Sequence, residues 1–256
     1  MPFSDLRYQK FDRTALPVTA LAEDYADGHV TPAHRHPNAQ LIHAVRGVMV
    51  VSTDSGQWIV PPTRGLWIPP AIEHSTRMVG AVQMRTAFIR PDAVPDLPTI
   101  CAVLKISSLL RELILATIEI AIPYTQNSRA GHVVQLLIDE IQQLPSLPLH
   151  LPLPTDARLR TICTAIGNAP HDNTTVTEWA RHLQIDPKTI QRLFLRETGM
   201  TFGQWRTQAR LLIALERLAA GVRVLDIALD LGYESPTAFT TMFKKQFGVS
   251  PSRFFE

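Results

Sequence analysis

Short apolar runs dominate residues 16–92, and turn-forming residues separate them. The runs are rich in Val, Ile, Thr and Trp, and Gly, Pro and the triplet Asp54-Ser55-Gly56 interrupt them, which is typical of hairpin turns. Several short, closely spaced strands predict an all-β barrel or sandwich. The predicted strands include residues 41–45, 48–53, 58–60, 66–68 and 84–89.

The apolar spacing becomes helical after residue 92. Residues 103–122 and 130–144 each carry one apolar face with intervals of three and four, which predicts a helical pair. Such a pair either mediates dimerisation or covers an open edge of the barrel, and we expect it to form a homodimer. The two faces consist of Leu110, Leu113, Ile114 and Thr117, and of Val134, Leu137, Ile138 and Ile141.

Four prolines within residues 145–154 end this helical region. Because proline interrupts helices, the segment is expected to be extended and to link two domains. The predicted fold class is α+β and multidomain, with an N-terminal β-barrel and helical pair and a C-terminal all-α domain. The predicted divisions are a barrel over residues 1–92, a helical pair over 93–144, a linker over 145–157 and a helical domain over 158–256.

Residues 175–198 have the pattern of a helix-turn-helix motif. Thr175 and Glu178 match a capping box at the start of the first helix. Asp186 and Pro187 match the N-cap and the first position of a second helix, which is expected to end near Thr198. The second helix has an apolar face and an opposite face of long polar side chains, as recognition helices have.

The same plan recurs over residues 224–247, where Ser235 and Pro236 begin the second helix. Between the two motifs, residues 202–220 predict one long helix of roughly 28 Å. One turn of duplex DNA spans about 34 Å, so two recognition helices separated in this way could enter successive major grooves.

Composition and charge narrow the class of protein. Charged residues make up only 19% of the chain and hydrophobic residues 45%, which excludes a largely disordered chain. Membrane spans, a secretory signal and a disulfide scaffold have no counterpart in the sequence, so we expect a cytoplasmic protein with no membrane partner. Residues 156–256 carry 13 Lys and Arg against 10 Asp and Glu, which favours an anionic partner for this part.

A specific set of residues accompanies the repeated helical plan. It comprises Trp179-Ala180, Asp186-Pro187, Arg192-Leu193-Phe194, Glu197-Thr198-Gly199, Asp226-Ile227-Ala228, Gly232-Tyr233-Glu234-Ser235-Pro236, Phe239, Phe243-Lys244, Phe247-Gly248-Val249 and Pro251. Through these residues, the region 158–256 resembles the DNA-binding domain of the AraC/XylS family of transcription regulators. The resemblance implies a double-stranded DNA operator as partner, and RNA polymerase is a further candidate partner.

The resemblance assigns DNA contacts to both recognition helices. In the first helix, Arg192 suits guanine and Gln191 suits adenine, because each can form two hydrogen bonds to that base. In the second helix, the basic residue common in the family near Thr240 or Thr241 is missing, so we expect this helix to discriminate bases less. Arg206 is a further predicted phosphate contact. The predicted DNA-binding residues are Lys188, Thr189, Gln191, Arg192, Arg196, Thr237, Thr240, Thr241, Lys244 and Lys245.

Two histidine-containing motifs lie in the predicted barrel. The second, PPAIEH at residues 69–74, resembles the second cupin motif, with Ala71 in place of its Gly and His74 as its histidine. Residues 16–92 therefore resemble a cupin (jelly-roll) barrel, which is the usual sensor domain of this family. The first motif has the spacing of the first cupin motif, with Gln where Glu is usual, and consists of Gly28, His34, His36, Gln40 and Gly47.

Four of these side chains form a candidate metal site. On a strand, His34 and His36 point the same way, because side chains alternate with a period of two. Three imidazoles and one amide oxygen suit one divalent transition-metal ion such as Zn, Ni, Co, Cu or Fe(II). The alternatives are that these residues hydrogen-bond an organic effector or are structural residues of the barrel. The candidate ligands are His34, His36, Gln40 and His74.

The two halves together predict a ligand-responsive transcription regulator and not an enzyme. A small molecule or a metal ion in the barrel would change operator binding, and this coupling must be reciprocal. The pairing of domains resembles a subgroup that represses neighbouring efflux-transporter genes, which implies a repressor of a nearby transporter gene. The alternative function is a dioxygenase-like cupin metalloenzyme joined to a DNA-binding domain.

Overall fold

The computed structural model of the chain describes residues 11, 14–62, 64–94, 97–143, 146–147 and 150–254. The chain divides into two compact units. The first unit comprises residues 1–53 and 58–149, and the second comprises residues 54–57 and 150–256.

The first unit is built around two long antiparallel strands, β3 (Ala39–Thr53) and β6 (His74–Ile89). The C-terminal half of β6 pairs with β1 (Val18–Tyr25), and its N-terminal half pairs with β2 (Val30–His34). The predicted β-rich N-terminal domain is thus confirmed. Three further strands join this sheet. Strands β4 (Gly56–Val60) and β5 (Arg64–Ile68) both pair with β3, and β7 (Ala102–Lys105) pairs with β5.

Two of the predicted strands form one continuous strand with a bulge in the middle. Residues 41–45 and 48–53 belong to the single strand β3, whose register against β6 shifts on both sides of Arg46. Gly47 lies at this bulge with a φ of +76°, and a Cβ atom there would lie 2.6 Å from the carbonyl oxygen of Ala81. Only glycine fits this close approach, which explains the Gly47 of the first motif.

The prediction of a helix over residues 103–122 is wrong for its first part and for residues 119–122, which lie beyond the end of the helix. Residues 102–105 form strand β7, because β5 offers an unpaired edge to this apolar segment. A short apolar run cannot be assigned to helix or strand by periodicity alone. Helix α1 (Ser108–Ile118) begins later, where the Ser107 hydroxyl accepts a hydrogen bond from the backbone N–H of Leu110 over 3.0 Å.

The helical pair packs its predicted apolar faces on the sheet domain. Helix α2 (Arg129–Gln142) buries Val134, Leu137 and Ile141 in the same core as the buried face of α1 and several side chains from β1, β3 and β6. Each buried leucine contributes about 1.5–3 kcal/mol to this packing. Leu109 and Leu136 remain 47% and 43% exposed on the outer side. Covering the sheet therefore accounts for one face of the pair, and dimerisation stays a prediction.

The proline-rich segment is extended wherever the structure describes it. It contains the short strands β8 (Ser146–Leu147) and β9 (His150–Pro152). The predicted linker residues 145, 148 and 149 lie outside the described residues.

The second unit is helical, and its helices begin and end where the sequence predicts. The capping box of Thr175 and Glu178 is present, and both Asp186 and Ser235 cap a helix that has proline at its first position. Its helices are α3 (Ala157–Asn168), α4 (Val176–Leu183), α5 (Pro187–Thr198), α6 (Phe202–Ala219), α7 (Val224–Asp230) and α8 (Pro236–Phe247), followed by a 3-10 turn (Pro251–Arg253). Two helix-turn-helix motifs, α4–α5 and α7–α8, flank the long helix α6.

Candidate sensor site and DNA-binding surface

Three histidines meet in the sheet domain. His34 ends β2, His74 begins β6, and the two are register partners. His36 follows β2, so the prediction that it shares a strand with His34 is wrong. The chain nevertheless brings its ring centroid to 4.9 Å from that of His34 and 5.6 Å from that of His74. Nitrogen atoms from all three rings lie within 4.8 Å of one another.

Backbone carbonyl groups set the tautomer of two of these rings. Nδ1 of His34 lies 2.7 Å from the carbonyl oxygen of Pro32, and Nδ1 of His74 lies 3.0 Å from that of Ile72. A carbonyl oxygen only accepts hydrogen bonds, so each neutral ring carries its hydrogen on Nδ1 and its lone pair on Nε2. Burial, and secondarily the His34 ring, lowers the pKa of His74 to about 3, so His74 is neutral near neutral pH, as a metal ligand must be.

Gln40 lines the same cavity as His34 and His74 and is 3% exposed. Its Nε2 donates a hydrogen bond to Oγ1 of Thr86, 3.1 Å away on β6. Within the described residues, neither Oε1 of Gln40 nor Nε2 of His74 has a hydrogen-bond partner. A buried polar atom left unsatisfied costs about 1–3 kcal/mol, so these donor atoms fit a metal ion that would satisfy both.

The cavity around these side chains is small. Its volume is about 10 Å³, which corresponds to one water-sized sphere. Typical pockets for organic ligands measure about 300–1,000 Å³, so this cavity suits an ion. Thr76 could have been found from sequence, because it lies two residues after His74 on the same strand face. The lining residues that the sequence analysis missed are Tyr25, Thr31, Ile42, Thr76 and Met84.

Ala71 adopts the backbone conformation that glycine would favour in the second motif. Its φ is +63°, in the left-handed region. Its N–H donates a hydrogen bond to the carbonyl oxygen of His36 over 2.8 Å. The replacement of glycine in the motif therefore leaves the turn intact, and the turn joins the two histidine-containing segments.

We expect Ala71→Gly to stabilise the protein by about 0.5–1 kcal/mol. The left-handed conformation costs a residue with a side chain about 1–2 kcal/mol, and the greater freedom of glycine in the unfolded chain cancels part of this gain. Denaturant unfolding followed by circular dichroism measures the change. Ala22→Gly in strand β1 is the control and should destabilise the protein. Equal destabilisation by both substitutions would contradict the expectation.

In the first helix-turn-helix, the side chains that are predicted to contact DNA are open to solvent. Gln184, at φ +54°, turns the chain between α4 and α5. Ile190 and Phe194 are fully buried and hold α5 by its apolar face. The opposite face has four exposed side chains and one half-buried one: Lys188, Gln191, Arg192 and Arg196, and Thr189.

The second helix-turn-helix has the same arrangement. Phe239 and Phe243 of α8 are fully buried, with their ring centroids 5.7 Å apart. The polar face of α8 carries four exposed side chains and one half-buried one: Thr237, Thr241, Lys244 and Lys245, and Thr240.

Glu197 fastens the end of α5 to the start of α3, a role that the sequence analysis missed. Its Oε2 accepts hydrogen bonds from the backbone N–H groups of Thr155 and Asp156, over 2.9 and 3.0 Å. Its Oε1 accepts one from Arg196 over 2.9 Å. The hydrogen bond from Asp156, followed by that from Arg196, lowers the pKa of Glu197. Hydrogen bonding from Arg158 lowers the pKa of Asp156 to about 2.

We expect these two carboxylates to make the second unit sensitive to acid. Both pKa values are lowered by folding, so their stabilising effect is complete above about pH 5 and is lost as the pH falls towards the folded-state values. Glu197→Gln should lower the free energy of unfolding at neutral pH by about 1–2 kcal/mol and flatten its decline in acid. Urea unfolding of the full chain across this pH range tests this, with the exposed Glu234→Gln as control. The same loss in both variants would refute a special role for Glu197.

Arg206, a predicted phosphate contact, is engaged inside the second unit. Its guanidinium group lies 5.0 Å from the centroid of the Phe202 ring and donates a hydrogen bond to the carbonyl oxygen of Thr174 over 3.1 Å. Its neighbour Arg210 is 8% exposed and donates to the carbonyl oxygen of Pro170 over 2.6 Å. Both arginines thus tie α6 to the segment between α3 and α4.

Known proteins match both parts of the chain. The family described as AraC-like ligand binding domain matches residues 16–146, and the family described as helix-turn-helix domain matches residues 179–256. The HTH-type transcriptional regulator NimR of Escherichia coli K12 is 37% identical over 228 residues, covering 89% of this chain and 83% of NimR. The HTH-type transcriptional regulator RipA of Corynebacterium glutamicum is 30% identical over 103 residues, covering 40% of this chain and 31% of RipA. Among solved structures, ToxT from Vibrio cholerae has a TM-score of 0.39 and 9% identity, covering 94% of this chain and 98% of ToxT.

A ligand-binding sheet domain followed by two helix-turn-helix motifs defines the class of ligand-responsive transcription regulators. The chain belongs to the AraC family, as the match over residues 16–146 and the relationship to NimR show. It is a DNA-binding transcription regulator with a ligand-binding domain, and the matched curated relatives are themselves transcriptional regulators. Within the described residues, every helix lacks either the length or the apolar composition needed to traverse a bilayer.

Proposed function

We propose that this regulator responds to a metal ion: its sensor domain binds one divalent transition-metal ion, and the bound ion changes operator affinity. The observation that carries the proposal is the group of three imidazoles whose nitrogens lie within 4.8 Å of one another. His34, His36, His74 and the amide oxygen of Gln40 would hold the ion. Neutral nitrogen and oxygen donors of this kind suit Zn, Ni, Co, Cu or Fe(II).

The size of the cavity supports an ion over an organic effector. The cavity that His34, Gln40 and His74 line has a volume of about 10 Å³, which accommodates one atom-sized ligand. The ion would join the segment around His36 to strands β2 and β6. An ion that binds one arrangement of these segments more tightly shifts the population towards that arrangement.

Operator reading is assigned to the exposed faces of α5 and α8. We infer that Gln191 and Arg192 contact base edges, because both are exposed and can form paired hydrogen bonds to purines. Arg196, Lys244 and Lys245 contact phosphates, which raises affinity for all sequences. The polar residues Lys188, Thr189, Thr237, Thr240 and Thr241 complete the DNA-binding surface.

The exposed leucines of the helical pair support a homodimer. Leu109 on α1 and Leu136 on α2 lie outside the core at 47% and 43% exposure, where a second copy could cover them. We infer that the dimer represses a nearby transporter gene when it is bound to its operator. The bound dimer would keep RNA polymerase from the promoter of that gene.

Metal content and operator affinity test the proposal together. Elemental mass spectrometry of the purified protein should find close to one transition-metal ion per chain, after loading with each candidate ion where needed. Fluorescence anisotropy with operator DNA should then show an affinity change of about five- to 150-fold between the loaded protein and protein stripped with EDTA, the usual size of allosteric coupling. A protein that binds none of the ions, or whose operator affinity ignores them, would exclude metal sensing and direct the search to organic effectors.

A further inference from the structure

The second unit contains a cavity large enough for an organic molecule. Its volume is about 560 Å³, within the range of about 300–1,000 Å³ that is typical of pockets for such ligands. The cavity is bounded mainly by α3, α6 and the segment that contains β9, and all of its lining residues belong to this unit. It is therefore separate from the small cavity beside the histidine cluster.

The inner wall of this cavity is apolar and held in place. It is lined by the buried side chains of Leu151 on β9 and of Trp205, Ala209 and Leu212 on α6. The indole N–H of Trp205 donates a hydrogen bond to the carbonyl oxygen of Pro152 over 2.8 Å, which fixes the ring and satisfies its only polar atom. An apolar molecule can therefore cover this wall without leaving the indole unpaired, and its transfer from water is favourable.

The rim of the cavity carries one unpaired positive charge. Arg160 of α3 is exposed, and within the described residues its guanidinium group has neither an ion-pair nor a hydrogen-bond partner. Arg217 also lines the cavity but forms an ion pair with Asp230. A carboxylate can accept two parallel hydrogen bonds from a free guanidinium group. Glu216, another lining residue, would repel a second negative charge, so the surroundings favour a ligand with one.

We propose that this cavity is a second effector site, which binds an organic acid with an apolar body and a single carboxylate. The apolar body lies against Trp205 and Leu212, and the carboxylate pairs with Arg160. The inference goes beyond the proposed response to metal and does not depend on it, because no residue of the histidine cluster lines this cavity.

A ligand in this cavity would contact two helices that position the DNA-reading helices. Helix α3 packs on α5 and α6, and Glu197 fastens the end of α5 to the start of α3. Helix α6 connects the two helix-turn-helix motifs. A ligand that fits one spacing of α3 and α6 better than others shifts the population towards that spacing. Operator affinity then changes with the bound acid, and the operator changes affinity for the acid by the same factor.

Calorimetric titration of the full chain, stripped of metal with EDTA, tests the inference. The probes are sodium octanoate, 4-phenylbutyrate and 2-naphthoate, each compared with its uncharged primary amide. At least one acid should bind once per chain and at least about tenfold more tightly than its amide, because a charged hydrogen-bond partner is lost in the amide. Arg160→Gln should remove this preference. Arg181→Gln, an exposed arginine of α4 outside the cavity, should retain it.

A second variant fills the cavity from an exposed position. Thr164 of α3 lines the cavity and is exposed, so Thr164→Trp should fold, as circular dichroism can verify, and should bind neither the acid nor its amide. Fluorescence anisotropy with operator DNA should show that the saturating acid changes the operator affinity of the wild-type protein by at least about fivefold. The same acid should leave the operator affinity of Thr164→Trp unchanged.

Several results would overturn the inference. They are a failure of all three acids to bind, equal affinity for acid and amide in the wild-type protein, and binding that survives Thr164→Trp. An operator affinity that does not respond to the bound acid would also overturn it, since the site would then not be an effector site. Because metal is absent throughout, these results leave the proposed response to metal untouched, and a failure of the metal proposal leaves them unchanged.

Discussion

Replacement of Arg192 with alanine is expected to reduce affinity for the operator by about 1–3 kcal/mol, which is roughly five- to 150-fold. Arg192 is exposed on α5, and the buried Leu193 and Phe194 beside it fix the helix, so its guanidinium group is available to the O6 and N7 atoms of a guanine. The substitution should also relax the sequence preference at one base pair. Competition binding with operator variants measures both effects.

Lys245→Ala is the matched control for a contact without sequence information. Lys245 is exposed near the end of α8, where it would neutralise one phosphate. Its removal should lower the affinity for all DNA sequences by a similar factor. It should also reduce the slope of log affinity against log salt concentration by about one. If Arg192→Ala behaved in the same way, or left operator affinity intact, the assignment of α5 as the base-reading helix would be wrong.

Replacement of both His34 and His74 with alanine is expected to remove metal from the protein. Two of the four donor groups would be lost, and the other two cannot hold a transition-metal ion tightly in competition with water. The variant should bind the operator as tightly as metal-free wild-type protein does, because both histidines lie in the first unit and the DNA-reading residues lie in the second. Its response to added metal should disappear.

The exposed His132 on α2 provides the control for this double variant. His132→Ala removes a surface imidazole that lies outside the cluster, and it should change neither metal content nor the operator response. Elemental mass spectrometry and fluorescence anisotropy on the same samples give both readouts. A full operator response in the double variant would remove His34 and His74 from the sensing mechanism.

The helical half of the protein was predictable because its signals are local. A capping box at Thr175, a proline after Asp186 and another after Ser235 each act within one turn of a helix, and all are present in the structure. The apolar faces of α5 and α8 follow from a period of 3.6 residues and need no knowledge of distant segments. The exposed polar faces then follow by elimination.

The sheet domain was predictable in class but less in detail. Strand β7 was mistaken for helix because only its pairing with β5 distinguishes the two conformations. His36 was expected on the same strand as His34. Instead, β2 ends at His34, and His36 lies in the following segment with its ring in contact with that of His34. Pairing of this kind joins residues far apart in sequence, so no local pattern reports it.

The sequence by itself determined the two helix-turn-helix motifs, the β-rich sensor and the identity of the four candidate ligands, since capping, periodicity and motif spacing are properties of neighbouring residues. Only the tertiary structure decided the state of those ligands. The Pro32 and Ile72 carbonyl groups set the imidazole tautomers, and Thr86, 46 positions from Gln40, holds its amide. The fold brings these partners together, and they orient the donor groups of His34, Gln40 and His74.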